Sequence, residues 1–86
     1  MPVMIKVLYF ASLRELLGVS AEEIRLNQPE ISVTELVAQL VTRGAGWTSL
    51  SSNKNVRVAI NQTVVNNEAL IKAGDEVAFF PPVTGG

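Results

Sequence analysis

The hydrophobic pattern of this chain switches several times between a period of two and a period of about 3.6, and no other feature constrains its fold as strongly. Alternation over residues 4–10, 21–26 and 76–80 predicts strands, and alternation over residues 56–65 with a break near the middle predicts a hairpin. Between these segments, apolar residues recur at helical spacing. The 86 residues therefore form one small mixed α and β domain, since neither a helical bundle nor a sandwich would show both periods.

The longest predicted helix follows Ser32. Its apolar residues recur at helical spacing and are Val33, Leu36, Val37, Leu40 and Val41. Ser32 and Glu35 stand at the positions of a capping box, in which each side chain accepts a hydrogen bond from a free backbone N–H of the first turn. Gly44 is expected to end this helix. A shorter helix is predicted behind a second capping box formed by Ser12 and Glu15.

Composition excludes most familiar kinds of active site. The chain has no Cys and no His, so it cannot supply a thiolate nucleophile, an imidazole base, a zinc site or a disulfide. Glu15 and Glu35 are candidate acid–base groups, but both stand at capping-box positions where a structural role is expected. We therefore assign no catalytic residue and no metal ligand to this chain.

Charge and hydropathy argue against nucleic-acid and membrane partners. The net charge is −1 and the sequence pI is about 5.3, so no basic stripe is available for phosphates. No window approaches the roughly 18 consecutive apolar residues of a membrane span. Lys6 interrupts the apolar run near the N-terminus, which does not support a cleavable signal peptide. We expect a cytoplasmic protein.

Both faces of the predicted sheet are apolar. The residues expected to face the long helix are Ile5, Val7, Tyr9, Val58, Ile60, Val77 and Phe79. Those that must then face away are Leu8, Phe10, Ala59, Ala78 and Phe80. Because one helix cannot cover both faces, the second face is predicted to carry an apolar docking surface with Lys6, Arg57 and Glu76 among it. The alternative is that a loop or the short helix covers it.

The last strand stops at two prolines and leaves an uncharged tail that ends in two glycines. The tail residues are Pro81, Pro82, Val83, Thr84, Gly85 and Gly86. Proline has no N–H to donate to a sheet, so the strand ends there. Glycine has no Cβ, so the last two backbone units can enter a narrow channel and expose a carboxylate to attack from either face. The tail is the candidate site, although most chain ends have no such role.

Residues 74–86, which read GDEVAFFPPVTGG, resemble the end of the molybdopterin synthase small subunits, a family of ubiquitin-like sulfur carriers. The resemblance extends to residues 4–10, 14–16 and 61–63 in the family's order, and it covers essentially the whole chain. It implies an α+β fold of the β-grasp type, a mixed five-stranded sheet packed on one long helix with additional short helices. It also implies a β-grasp domain at residues 1–80 and a flexible diglycine tail at residues 81–86.

The resemblance further implies a carrier that is modified at its end. An E1-like adenylyltransferase would activate the Gly86 carboxylate with ATP and magnesium, and a sulfur donor enzyme would convert it to a thiocarboxylate. The large synthase subunit would then use the tail, residues 81–86, to place sulfur on cyclic pyranopterin monophosphate and form the molybdopterin dithiolene. This chain itself would bind no cofactor and would perform no catalysis.

The family also implies a docking patch and an assembly. Phe10, Val64 and Phe80 would form the apolar patch that both partner enzymes grip. Phe10 and Phe80 agree with the face pattern described above, whereas Val64 comes from the resemblance alone. Two small and two large subunits would form a heterotetramer.

Three other functions remain open at this stage. A related carrier supplies sulfur to the thiazole of thiamine by the same activation chemistry, although the run from Phe79 to Val83 argues against that acceptor. A protein modifier would use Gly86 to form isopeptide bonds with lysines. A plain interaction domain with an inert tail would function equally well without Gly86.

Overall fold

Strands and short helices alternate through the part of the chain that the computed structural model describes, which is residues 3–48, Leu50 and residues 56–81. The strands are β1 (Val3–Tyr9), β2 (Ala21–Leu26), β3 (Glu30–Ser32), β4 (Arg57–Ile60), β5 (Thr63–Val65), β6 (Leu70–Lys72) and β7 (Glu76–Phe80). The α-helices are α1 (Ser12–Leu17) and α2 (Val33–Leu40), and 3-10 helices lie at Val41–Arg43 and Ala45–Thr48. The predicted mixed α and β domain is confirmed.

Five of the strands form one mixed sheet in the order β2-β1-β7-β4-β5. β1 and β7 run parallel, while the other neighbours are antiparallel. The central place belongs to β7, the last strand of the chain, which lies between β1 and β4. This arrangement confirms the β-grasp fold with its five-stranded mixed sheet.

A second, two-stranded sheet was not expected from the sequence. β3 and β6 pair antiparallel, and Ile31 lies directly opposite Ile71. Both isoleucine side chains are buried in the core. Each strand has only three residues, which is too short for alternation to distinguish a strand from a loop. The pairing depends on the contact between the two segments, which lie far apart in the chain.

Helix α2 closes the inner face of the main sheet. Its capping box is confirmed, because Ser32 Oγ accepts from the Glu35 N–H at 3.1 Å and Glu35 Oε1 accepts from the Ser32 N–H at 3.3 Å. The core residues from α2 and from the inner face include Val33, Leu36, Leu40, Ile5, Val7, Tyr9, Val58, Val77 and Phe79. Helix α2 is shorter than predicted, with eight residues and one further 3-10 turn before Gly44. No helix in the described part of the chain is long and apolar enough to cross a membrane.

The predicted capping box of α1 is wrong. Ser12 is the first residue of the helix, the N-cap is Ala11, and no side chain caps this end. The Leu13 N–H instead donates to the Phe10 carbonyl at 3.1 Å, which closes a tight turn between β1 and α1. That turn shifts the helix start by one residue relative to the capping pattern. Gly18 ends α1 in the left-handed conformation at φ 75°.

Replacing Ala11 with glycine is expected to stabilise the protein by about 1 kcal/mol. Ala11 has φ 54° and ψ −129°, a conformation that costs energy for any residue with a Cβ but is accessible to glycine. Urea unfolding measures the change. The matched control is Ala38→Gly on the exposed face of α2, which is expected to destabilise the protein by about 1 kcal/mol. A loss of stability in Ala11→Gly would contradict the prediction.

Candidate functional site

The tail begins at the end of the central strand. β7 is hydrogen-bonded to β1 on one side and to β4 on the other, and it ends at Phe80. Pro81, which is half-buried, is the last described residue. Predictions about Pro82, Val83, Thr84, Gly85 and Gly86 fall outside the described residues and stay predictions. The root of the tail is therefore held from both sides by the sheet.

An apolar row crosses all five strands on the outer face of the main sheet, opposite α2. Its members lie directly opposite one another in the ladders and are Ala21, Leu8, Ala78, Ala59 and Val64. Directly opposed residues share a face, so these side chains lie side by side. Ala59 is buried between its neighbours, whereas Val64 is 60% exposed. The predicted apolar second face is present.

Two phenylalanines extend this row at the end of the sheet where the tail begins. Phe10 continues β1 by one residue, and its N–H donates to the Phe79 carbonyl at 3.1 Å. This bond places Phe10 next to Phe80 on the neighbouring strand. Phe10 is 47% exposed, and Arg57 lies opposite Phe80 on its other side. We call the combined surface the outer patch; it consists of Leu8, Phe10, Ala59, Val64, Ala78 and Phe80.

The structure brings Val64 into the outer patch through a hairpin. β4 and β5 are joined by the two-residue turn Asn61–Gln62, and both residues have positive φ, at 51° and 72°. These values are those of a type I′ turn, which joins two directly paired residues. Val64 therefore lies opposite Ala59, two strand spacings or about 10 Å from β7. The signal was present in the sequence, since a two-residue turn at 61–62 determines which residues of the hairpin oppose each other.

Charged residues occupy the other end of the outer face. Lys6 lies directly opposite Glu23 on β2 and Glu76 on β7. Opposite charges on directly opposed residues attract each other across the ladder, so this end of the face is polar. Arg57 lies instead at the end next to the tail, since Phe80 is its ladder neighbour on β7, and no ion pair of Arg57 occurs among residues 3–48, Leu50 and residues 56–81. The end next to the tail is therefore mainly apolar, with Arg57 as the charged residue beside Phe80.

A polar network on the inner side was missed by the sequence reasoning. The Tyr9 hydroxyl donates to Glu22 Oε2 at 2.8 Å, and Arg43 Nη1 donates to the same oxygen at 2.7 Å. The Arg43 guanidinium lies 4.7 Å from the centre of the Trp47 ring, which in turn meets the Tyr9 ring edge-on at 5.4 Å. Trp47 is partly buried and packs against the core. The network joins β1 and β2 to the two 3-10 helices.

This network shifts the pKa values of Tyr9 and Glu22 in opposite directions. Burial, followed by the hydrogen bond to Glu22 and its negative charge, raises the pKa of the Tyr9 phenol well above its usual range. Burial alone would also raise the pKa of Glu22, but hydrogen bonds from Arg43 and Tyr9 and the charge of Arg43 bring it below its usual range. Neither group faces the tail or the outer patch, so the network is structural.

Replacing Glu22 with glutamine is expected to flatten the acid side of the stability–pH curve. The pKa of Glu22 is lower in the folded state than its unfolded value of about 4.3, so ionised Glu22 stabilises the fold above that pH. The contribution is lost as pH falls through the folded pKa. Because the pKa of Tyr9 is raised, stability is also lost as pH rises beyond about 10.

Urea unfolding between about pH 3 and pH 7 measures the acid effect. Glu23→Gln is the matched control, since Glu23 is the next residue of β2 and lies opposite Lys6 rather than in the network. Equal acid dependence in Glu22→Gln and the wild type would contradict the prediction.

Comparison with known proteins finds relatives that match nearly the whole chain. The model of the ThiS family matches residues 7–86. The molybdopterin synthase sulfur carrier subunit of Haemophilus influenzae is 43% identical over 84 residues, which cover 96% of this chain and 100% of the relative. The protein of the same name from Escherichia coli is 42% identical over 83 residues, with 96% and 100% covered.

Solved structures agree with this similarity. A protein described as molybdopterin converting factor subunit 1, from Pyrococcus furiosus, matches with a TM-score of 0.77 and 32% identity over 94% of this chain and 99% of that one. A chain of the complex of subunits 1 and 2 of the molybdopterin-converting factor from Helicobacter pylori matches with a TM-score of 0.62 and 25% identity, with 96% of this chain and 99% of that chain covered. The small archaeal modifier protein 1 of Haloferax volcanii matches with a TM-score of 0.75 and 25% identity, with 96% and 99% covered. By its full-length matches the chain belongs to the ThiS family and, within it, to the molybdopterin synthase sulfur carrier subunits.

Proposed function

We propose that this chain carries sulfur for a molybdopterin synthase and delivers it from the carboxylate of Gly86. The observation that carries the proposal is the position of β7. This central strand places Phe80 in the outer patch. It is followed directly by Pro81 and the sequence that ends in diglycine. A carrier that delivers an acyl group to a partner enzyme needs three features: a fixed starting point for the tail, an apolar docking surface beside it, and a reactive end.

The chemistry begins with activation of a carboxylate. A free carboxylate resists nucleophiles because it is anionic and its oxygen is a poor leaving group. An E1-like adenylyltransferase transfers AMP from ATP to the Gly86 carboxylate with magnesium and releases pyrophosphate. A sulfide-level sulfur nucleophile from a donor enzyme then attacks the acyl carbon, the bond to the AMP oxygen breaks, AMP leaves, and Gly86 carries a thiocarboxylate. Two carriers in succession supply the two sulfurs of the dithiolene made from cyclic pyranopterin monophosphate in the large subunit.

The composition of the tail suits insertion into an enzyme. Side chains from Val77 to Thr84 carry no charge, so insertion requires no desolvation of an ionised group. Pro81 and Pro82 limit the conformations that the tail loses when it becomes ordered. The tail is a leader of four residues followed by two glycines that fit a narrow channel.

The outer patch is the surface that we propose for both partner enzymes. Its exposed members are Phe10, which lies beside Phe80 at the root of the tail, and Val64, which lies two strands away on the same face. A partner that binds this face therefore also receives the tail. The complex of subunits 1 and 2 from Helicobacter pylori supports a large-subunit partner for this chain. We propose a heterotetramer of two small and two large subunits, which acts in the cytoplasm where ATP is available.

The test is the exact mass of the C-terminal tryptic fragment that begins at Ala73. The protein is coexpressed with the activating enzyme and a sulfur source, and the fragment contains no Met, so oxidation of methionine cannot imitate a change of oxygen to sulfur. Replacement of one oxygen by sulfur on Gly86 is the expected result. An unmodified carboxylate, under conditions that charge a known carrier, would contradict the proposal.

A second candidate is a protein modifier, and the match to the small archaeal modifier protein 1 of Haloferax volcanii favours it. The same activated Gly86 would then form an isopeptide bond with a lysine of another protein. A ladder of conjugates of higher mass that disappears when Gly86 is deleted would support this function. Sulfur carriage and conjugation both begin with an acyl-adenylate at Gly86. A change in the mass of the unconjugated protein at Gly86 therefore distinguishes both functions from an inert tail.

A further inference from the structure

The turn between β4 and β5 is joined to the start of β7 by a set of hydrogen bonds that the proposed function does not use. The Asn61 N–H donates to the Glu76 carbonyl at 2.8 Å. In return, the Glu76 N–H donates to Asn61 Oδ1 at 3.0 Å, and Asn61 Nδ2 donates to Asp75 Oδ1 at 3.0 Å. The Glu76 N–H needs an acceptor and the Asp75 carboxylate needs a donor, and the amide group of Asn61 provides both.

Asp75 also connects the start of β7 to β6 and β1 through hydrogen bonds. Its Oδ2 accepts from the Lys72 N–H at 2.8 Å, and its own N–H donates to the Lys72 carbonyl at 3.0 Å. The Lys6 N–H of β1 donates to the Asp75 carbonyl at 3.0 Å, and the Gly74 N–H donates to the Met4 carbonyl at 2.8 Å. The start of β7 is therefore held by β1, by the end of β6 and by the hairpin turn.

Strand register has a direct consequence for the outer patch. Successive residues of a strand point to opposite faces, so a slip of β7 by one residue would turn Phe80 into the core and Phe79 out of it. Val64 stands three residues after Asn61, and Phe80 stands five residues after Asp75. One interaction thus controls the register of both strands that carry these patch residues.

We propose that Asn61 and Asp75 are positioning residues for partner docking, since together they hold Val64 and Phe80 on one face next to the tail. This inference rests on the proposed function, because it is the docking of the sulfur carrier that they serve. We assign neither residue a part in the reaction of the carboxylate. They act through the placement of the outer patch.

The chemistry of the pair allows a swap. Asn61→Asp places two carboxylates against each other, and Asp75→Asn places two amide groups with one acceptor too few. In the double variant, the new carboxylate at position 61 accepts from the Glu76 N–H and from the new amide at position 75, whose oxygen accepts from the Lys72 N–H. All three side-chain hydrogen bonds are then restored with the polarity of one of them reversed.

The experiment compares the wild type, the two single variants and the double variant. Isothermal titration calorimetry measures Kd for the molybdopterin synthase large subunit, at a temperature where circular dichroism shows each variant to be folded. We expect each single variant to bind about tenfold more weakly, and the double variant to bind within about threefold of the wild type. Because every variant is folded at the temperature of the titration, a weaker Kd reports a change in the folded protein rather than a loss of folded protein.

Asn66→Asp is the matched control, because the Asn66 Oδ1 accepts from the Glu68 N–H at 2.9 Å and an aspartate keeps that bond while adding the same charge. It is expected to bind as the wild type does. Single variants that bind normally, or a swap no better than either single variant, would overturn the proposal.

Amide chemical shifts of Val64 and Phe80 in the free protein provide a readout that does not need the partner. Shifts that move in the single variants and return in the double variant support the positioning role, and unchanged shifts overturn it. If the wild type does not bind the large subunit, the proposed function fails and these shifts alone decide the role of the pair. If Asn61→Asp does not fold, Asp75→Asn and the double variant carry the same comparison.

Discussion

Replacing Phe80 with alanine is expected to weaken binding of the large subunit by about 30-fold or more while changing the free energy of unfolding by about 1 kcal/mol or less. Phe80 is a half-buried aromatic residue at the centre of the outer patch, between Phe10 and Arg57. Aromatic side chains in the middle of an interface contribute most to affinity. The loss of its ring leaves the core intact, because it lies on the face opposite α2.

The matched control is the residue before it. Phe79 is 1% exposed, and its ring stacks on Tyr9 with the ring centres 6.0 Å apart. Phe79→Ala is therefore expected to cost about 3–5 kcal/mol of stability, a large part of the total for a domain of this size. Urea unfolding and titration calorimetry with the large subunit measure both effects. Normal affinity in folded Phe80→Ala would show that the outer patch is not the docking surface.

Deleting Gly86 is expected to lower the rate of sulfur transfer by about 100-fold or more without weakening docking. The shortened chain still ends in a glycine carboxylate, that of Gly85. However, this carboxylate lies about 3.5 Å short of the position that the adenylating and sulfur-accepting sites expect. Because a misplacement of about 1 Å can already cost two orders of magnitude in rate, length rather than chemistry causes the loss.

The measurements are thiocarboxylate formation by mass and dithiolene formation with the large subunit. Thr84→Ser keeps the length of the tail and is the control, with a rate expected close to that of the wild type. Fold stability and Kd of the deletion variant are expected to be close to those of the wild type, since the core and the outer patch are unchanged. Charging of Gly85 at the normal rate would contradict the proposal that the tail reaches a site at a fixed distance.

Much of the fold could be predicted because the relevant signals are local. The strand β1 alternates over its own length, and α2 shows both its apolar spacing and its capping box within a few residues. The inner and outer faces of β7 follow from alternation alone, which places Phe79 in the core and Phe80 on the outer patch. Local patterns of this kind survive in a single sequence because each depends only on neighbours.

The features that were predicted wrongly or missed depend on contacts and turns outside the local pattern. Ser12 and Glu15 match a capping box, but the turn through Ala11 starts the helix one residue early and leaves Ser12 inside it. β3 and β6 are strands only because Ile31 and Ile71 meet in the core. In both cases a contact or turn outside the pattern overrides the local preference.

The sequence by itself determined the mixed α and β class, the two-sided apolar character of the sheet and the diglycine tail, since each is a matter of residue type and spacing. Only the tertiary structure decided that Val64 joins Phe10 and Phe80, that β7 is the central strand, and that Tyr9, Glu22 and Arg43 share a network. These features depend on which strands pair. Pairing is settled by the free energy of the whole core, to which residues distant in the chain contribute together.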